Sequence, residues 1–195
     1  GGQIWLVSGG GYGTDGTITS SGGHVVGDEV AAQALLPAVL CSDAVLVAAT
    51  DAGPGIIGDP TEAALVVLGA KAGLSEVAER ARRPRLGEVP FDSATKFMAT
   101  FHRVNPDDPN SEVLLCVKGA PDVVLGLSST FVHAGGSEQP LSDSELGFRH
   151  AENDRLASQG MRVLAIATRR LSASEVIGAD GTINRPEGWV ADLRL

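Results

Sequence analysis

Apolar and polar positions repeat with strand periodicity mainly in the second half of the chain. "RLGEVPF", "TKFMATFHRV", "EVLLCVKG" and "MRVLAIATRRL" carry the two-residue alternation or the short continuous apolar run of extended strands. "NPDDPNS", between the second and third, has the Pro, Asp and Asn content of a hairpin turn. Earlier, "QIWLV" reads as a short strand, followed by a loop rich in Gly, Ser and Thr. The spacing from Asp28 to about Ala49 is helical and predicts two helices meeting near Pro37, with "DAGPGIIGDP" as a loop.

Helix boundaries are written into the sequence. "GDPTEAALVVLGAKAG" starts with Asp59 at the N-cap, Pro60 at the first helical position and Glu62 at the third, a capping-box pattern, and Gly73 closes it. "LSEVAERARR" predicts a further helix ended by Pro84, and "APDVVLGLSS" a short one from Pro121. "SDSELGFRHAENDRLASQG" has a second capping box in Ser142 and Glu145, with Gly160 as terminator. The tail from Gly178 to Leu195 is expected to run back beside the first strand. Antiparallel strands with helices elsewhere along the chain define an α+β class, an antiparallel β-sheet flanked by helices.

Composition narrows the function. The 195 residues suffice to bury a core, and the 43% hydrophobic share describes a globular chain. A net charge of −9 argues against a nucleic-acid partner, which needs a basic face. Cys41 and Cys116 sit in apolar runs and read as small buried hydrophobes. The longest apolar run, from Ala34, is broken by Pro37 and by Ser42-Asp43, so it is too short and polar to span a bilayer. The chain is expected to be soluble as it stands.

Several motifs carry little. "GYGTDG" satisfies G-x-G-x-x-G, but the residues after Gly16 do not open a helix, and a flexible turn is expected. The four histidines lack metal-ligand spacing, and no metal site is expected.

Four segments are different. "VPFDSATKFMATFHR" places a polar run inside an apolar strand, with Phe91 at one end, Lys96 at the other and Met98 beyond. "VKGAPD" delivers Lys118 from an apolar strand to a turn at Gly119. "GMRVLA" sets Arg162 at the start of a strand, two residues before Leu164. "GDPTEAAL" carries Glu62. Each has an ordinary alternative: Glu62 as a cap, Lys96 and Arg162 as strand-edge charges, Phe91 as core.

Together, in this order and spacing, these four segments resemble the nucleotide-binding domain of P-type ATPases. The "PFDSxxKxM" form is most similar to bacterial cation pumps of the calcium-pump type, and "GGGYGTDGTI" resembles the loop entering that domain. The resemblance implies that residues 1–195 form a single nucleotide-binding domain, excised from a larger membrane pump and lying on its cytoplasmic side. It implies ATP as ligand, with Mg2+ in the full-length pump. Phe91 would stack on adenine, Lys118 and Gly119 would line the other side of the base, and Lys96 would approach the phosphates. Arg162 would reach the β-phosphate, Glu62 would accept a hydrogen bond from the adenine amino group, and Met98 and Leu164 would form apolar walls. Some calcium pumps carry arginine where this chain has Ser93, so phosphate contacts here rest on Lys96 and Arg162.

No catalytic residue is expected within the chain, because the phosphorylated aspartate of such pumps belongs to a segment it lacks. The fragment is expected to be a monomer that binds ATP without hydrolysing it. Its partners would be the phosphorylation and actuator domains of the same pump. Two alternatives stand beside this reading: an acidic, non-catalytic interaction module, and an enzyme using Lys118 as a Schiff-base nucleophile.

Overall fold

The computed structural model describes residues 3–50, 53–133 and 136–195. The chain divides into two compact units, Gly1–Arg82 and Arg83–Leu195.

In the first unit, β1 (Trp5–Val7) pairs antiparallel with β2 (Ile18–Ser20), so "GYGTDG" is the loop of a small hairpin and precedes a strand. The ammonium of Lys71 donates to the Ser8 carbonyl at 2.6 Å and pins that loop. Helix α1 (Asp28–Leu40) runs unbroken through Pro37, a departure from the expected pair of helices. A proline removes only one donor from the ladder, and Cys41 N–H still donates to the Pro37 carbonyl at 2.9 Å.

The next departure is larger. The apolar stretch expected to continue as helix is β3 (Val45–Thr50), paired antiparallel with β4 (Gly53–Ile57) inside the expected loop. Residues 51 and 52 of that loop lie outside the described residues. A short apolar run has no period that separates helix from strand. Here Ser42 ends the helix by donating its hydroxyl to the Ala38 carbonyl at 2.8 Å. Helix α2 (Pro60–Lys71) starts as expected: the Asp59 carboxylate accepts from Thr61 N–H at 2.7 Å and Glu62 N–H at 3.3 Å. Helix α3 (Glu76–Arg82) completes the unit.

The second unit is built on seven strands. They are β5 (Arg85–Val89), β6 (Phe97–Arg103), β7 (Val113–Gly119), β8 (Ser128–Val132), β9 (Glu138–Pro140), β10 (Ala165–Leu171) and β11 (Leu193–Arg194). Their order in the sheet is β5-β6-β7-β10-β11-β8-β9. Every pairing is antiparallel except β11 with β8. The fold is thus α+β, with one parallel pairing that the strand pattern did not suggest. It arises because the tail does not run beside the first strand. Its last strand inserts between β10 and β8.

Helix α4 (Pro121–Gly126) is shorter than expected, since residues from Ser128 are recruited to the sheet. Helix α5 (Asp143–Ala157) begins at Ser142, whose hydroxyl accepts from Glu145 N–H at 3.3 Å. A short helix, α6 (Ala173–Val176), follows β10.

Strand β7 is buried along its whole length, which explains its nearly continuous apolar sequence. Register places Ala99, Val117 and Ala167 in one row across β6, β7 and β10, on the face that packs with Phe101, Leu115, Val124 and Leu193 as the main core. The opposite face carries Met98, Lys118 and Ile166 in one row and Thr100, Cys116 and Thr168 in the next. His102 is also on that face, 1% exposed. Its Nδ1–H donates to the Arg83 carbonyl at 3.0 Å, which leaves Nε2 to accept the Thr100 hydroxyl at 2.9 Å.

Candidate nucleotide-binding site

One end of the seven-stranded sheet gathers most of the candidate residues. Strand β7 runs antiparallel to both β6 and β10, so the start of β6, the end of β7 and the start of β10 coincide. The register partners there are Phe97, Gly119 and Ala165. Lys96 and Leu164 each stand one residue before this row, and Met98 and Lys118 stand one residue inside it.

The approach of β6 to β7 is close. A Cβ on Gly119 would lie 2.5 Å from the Lys96 carbonyl oxygen and 2.8 Å from the Phe97 Cβ, so only glycine fits without displacement. The Lys96 carbonyl in turn accepts the Ala120 N–H at 3.0 Å. Lys118 and Met98 are buried, and Lys96 is exposed.

Phe91 belongs neither to the strand nor to the core. Strand β5 ends at Val89, and residues 90–96 form a loop with a turn at 93–95. The ring is 61% exposed. The polar run inside the apolar pattern is therefore a genuine break between two strands, with the ring displayed on the connection. Asp92 organises this loop. Its Oδ1 accepts Ala94 N–H at 2.6 Å, and its main-chain carbonyl accepts Lys96 N–H, also at 2.6 Å.

Arg162 does not begin a strand as expected. It is exposed in the extended segment between α5 and β10, three residues before Ala165, because Gly160 turns the chain at φ +78° and pairing with β7 starts only at Gly119. Leu164 is half-buried. Glu62 belongs to the first unit. Its Oε2 accepts Asp43 N–H at 2.7 Å and Ala44 N–H at 3.1 Å, holding the segment that leads into β3.

The sequence motifs assign no role to Asp92 or Ala120. Asp92 was recognisable in principle, since an aspartate two residues before a polar turn offers its carboxylate to the backbone ahead. Ala120 acts only through its backbone and leaves no compositional trace. Among the described residues, no cluster of three or more His, Cys, Asp or Glu side chains is placed to hold a metal ion. No helix among them is long and apolar enough to cross a membrane.

Comparison with known proteins gives this arrangement a lineage. Residues 31–189 match the family described as P-type ATPase, cytoplasmic domain N. The chain belongs to that family. It is 33% identical over 177 residues to the cation-transporting ATPase pma1 of Synechocystis, a match covering 87% of this chain and 18% of that protein. It is 32% identical over 181 residues to a calcium-transporting ATPase of Bacillus subtilis, covering 90% of this chain and 19% of the relative. With a calcium-transporting ATPase of Listeria monocytogenes it shares 33% identity over 136 residues, 70% of this chain and 14% of the relative. The chain thus spans less than a fifth of the length of these relatives.

Proposed function

We propose that this domain binds ATP at the end of the sheet where β6, β7 and β10 meet. The placement of Phe91 carries the reading: it is 61% exposed, so its ring is open to stack on a purine, on the connection that leads into β6 at the sheet end carrying Lys96 and Lys118. Lys118 and Gly119 line the far side of the base, and Met98 and Leu164 supply apolar walls. Lys96 meets the phosphate chain, and Arg162 reaches the β-phosphate as a charge-assisted fork. Glu62 is assigned to the adenine amino group by resemblance alone.

Within a larger cation-transporting ATPase, the domain presents the γ-phosphate to an aspartate of the phosphorylation domain. That carboxylate oxygen forms a bond to phosphorus as the bond to the β-phosphate oxygen breaks, and ADP leaves. In the full-length pump Mg2+ would accompany ATP and supply neutralisation of phosphate charge. The pump would lie in a membrane with this domain on the cytoplasmic side, and the names of its relatives favour calcium as the cation. The actuator domain would then act on the phosphoenzyme.

Affinity of the isolated domain is expected to be low. One stacked ring and two or three screened cation–phosphate contacts must offset the lost freedom of the ligand. A net of about −4 to −5 kcal/mol corresponds to a Kd from hundreds of micromolar to millimolar. Amide NMR titration with ATP, ADP, AMP and GTP tests the proposal. Shifts clustered at Phe91, Lys96, Lys118 and Arg162, larger with adenine than with guanine nucleotides, are expected. A chain that gives no localised response is an interaction module instead, and borohydride trapping of a carbonyl compound on Lys118 would favour the Schiff-base alternative.

A further inference from the structure

We infer that Asp92 is a positioning residue for the nucleotide's phosphate chain, acting through the backbone of Lys96. The inference rests on the ATP-binding reading above and adds a residue to it. Lys96 adopts φ +59°, the left-handed region that residues with a side chain seldom occupy. The direction in which a Cα–Cβ bond leaves the main chain follows from φ and ψ. An unusual φ at Lys96 therefore sets where its cation can reach.

Two hydrogen bonds hold that conformation from either side. The Asp92 carbonyl accepts Lys96 N–H at 2.6 Å, and the Lys96 carbonyl accepts Ala120 N–H at 3.0 Å. The first depends on the turn, and the turn on the Asp92 carboxylate, which accepts Ala94 N–H at 2.6 Å. The Thr95 hydroxyl adds a longer bond, 3.4 Å, to the same Asp92 carbonyl. The second bond needs the close approach that Gly119 permits. A short chain of contacts thus runs from the Asp92 side chain through Lys96 to the end of β7, where Lys118 and Gly119 sit. Strain at a non-glycine residue persists only where its surroundings over-determine it, and such positions gather at binding sites. Asp92 itself is exposed, so its carboxylate is not needed to fill the core.

Phe91 precedes the turn and is tethered to β5 through Pro90, whereas Lys96 follows it. Loosening the turn should therefore blur the cation and spare the ring. The test compares ATP with adenosine, by NMR titration of the whole chain, in wild type and three variants. Asp92→Ala is expected to weaken ATP binding about three- to tenfold and to change adenosine binding less than twofold. Asp92→Asn restores ATP binding to within about twofold of wild type, because the amide oxygen accepts the same N–H. Asp92→Ser, with a shorter acceptor, gives an intermediate loss and replaces alanine should that variant not fold.

ATP affinity unchanged in Asp92→Ala, equal losses for ATP and adenosine, or Asp92→Asn as weak as Asp92→Ala would each overturn the positioning role while leaving the nucleotide site intact. A wild-type chain that does not respond to ATP at Phe91 and Lys96 would instead remove the site, and the positioning role with it.

Discussion

Lys118 stands directly opposite Met98 in the pairing of β6 with β7, and both side chains are buried, at 6% and 3% exposure. A lysine on a buried sheet face lays its methylene stem along apolar neighbours and keeps its ammonium for a polar contact. Lys118→Met keeps the stem and removes the charge. Deleting the charge from one side of a buried polar contact leaves the other side unsatisfied, which costs about 1–3 kcal/mol. The unfolding midpoint should therefore fall, and ATP binding should fall by about 1.5–3 kcal/mol, the range for a hydrogen bond to a charged group. Thermal melts and NMR titration of the same sample check both halves.

Phe91→Ala separates display from packing. With the ring 61% exposed, truncation should leave the melting temperature within a degree or two (about 0.5 kcal/mol). Nucleotide binding should weaken by about 1–3 kcal/mol, with ATP and adenosine losing equally. A variant that melts far below wild type would return Phe91 to the core.

Gly119→Ala tests the close approach of β6 and β7. The new Cβ would meet the Lys96 carbonyl oxygen at 2.5 Å and the Phe97 Cα at 2.9 Å, neither of which is a flexible side-chain end. A loss of about 1–3 kcal/mol is expected from urea denaturation. The amide of Ala120 should exchange faster with solvent, because its bond to Lys96 is the contact that must give.

In the first unit, Glu62→Ala removes the acceptor shared by Asp43 N–H and Ala44 N–H, and Ala44 is fully buried. Leaving a buried donor unsatisfied costs about 1–3 kcal/mol. Glu62→Gln keeps an oxygen there and should cost less. Hydrogen exchange at residues 43 and 44 distinguishes this local role from any effect on ligand binding.

The Asp180 carboxyl is held below the ordinary aspartate range, first by the Thr182 N–H at 3.0 Å and then by the Thr182 hydroxyl at 2.8 Å. A depressed carboxyl contributes stability above its unfolded value, and loses it as pH falls through the folded one. Thr182→Val deletes the hydroxyl donor and should move the Asp180 midpoint upward, towards the ordinary value. NMR pH titration of the Asp180 side-chain carbon reads this directly. The unmodified protein should keep its 178–183 turn to lower pH than the variant.

The sequence by itself determined those features whose causes are local. Asp59 and Ser142 announce helix starts because a short polar side chain reaches the N–H groups two or three residues ahead. The strands β5, β6, β7 and β10 were legible because alternation and apolar runs report burial directly. Their adjacency to "PF", "KGAP" and "GMR" also made the candidate residues readable as a set. What only the tertiary structure decided involves partners distant along the chain. Val45–Thr50 became a strand because β4 was there to pair with it, although its apolar pattern serves a helix equally well. The two-residue strand Leu193–Arg194 has no period to read, and it found its place between β10 and β8 through hydrogen bonds that no short window contains. The left-handed Lys96 belongs to the same class: its conformation is imposed by Asp92 on one side and Ala120 on the other, and a lysine in a sequence does not reveal that.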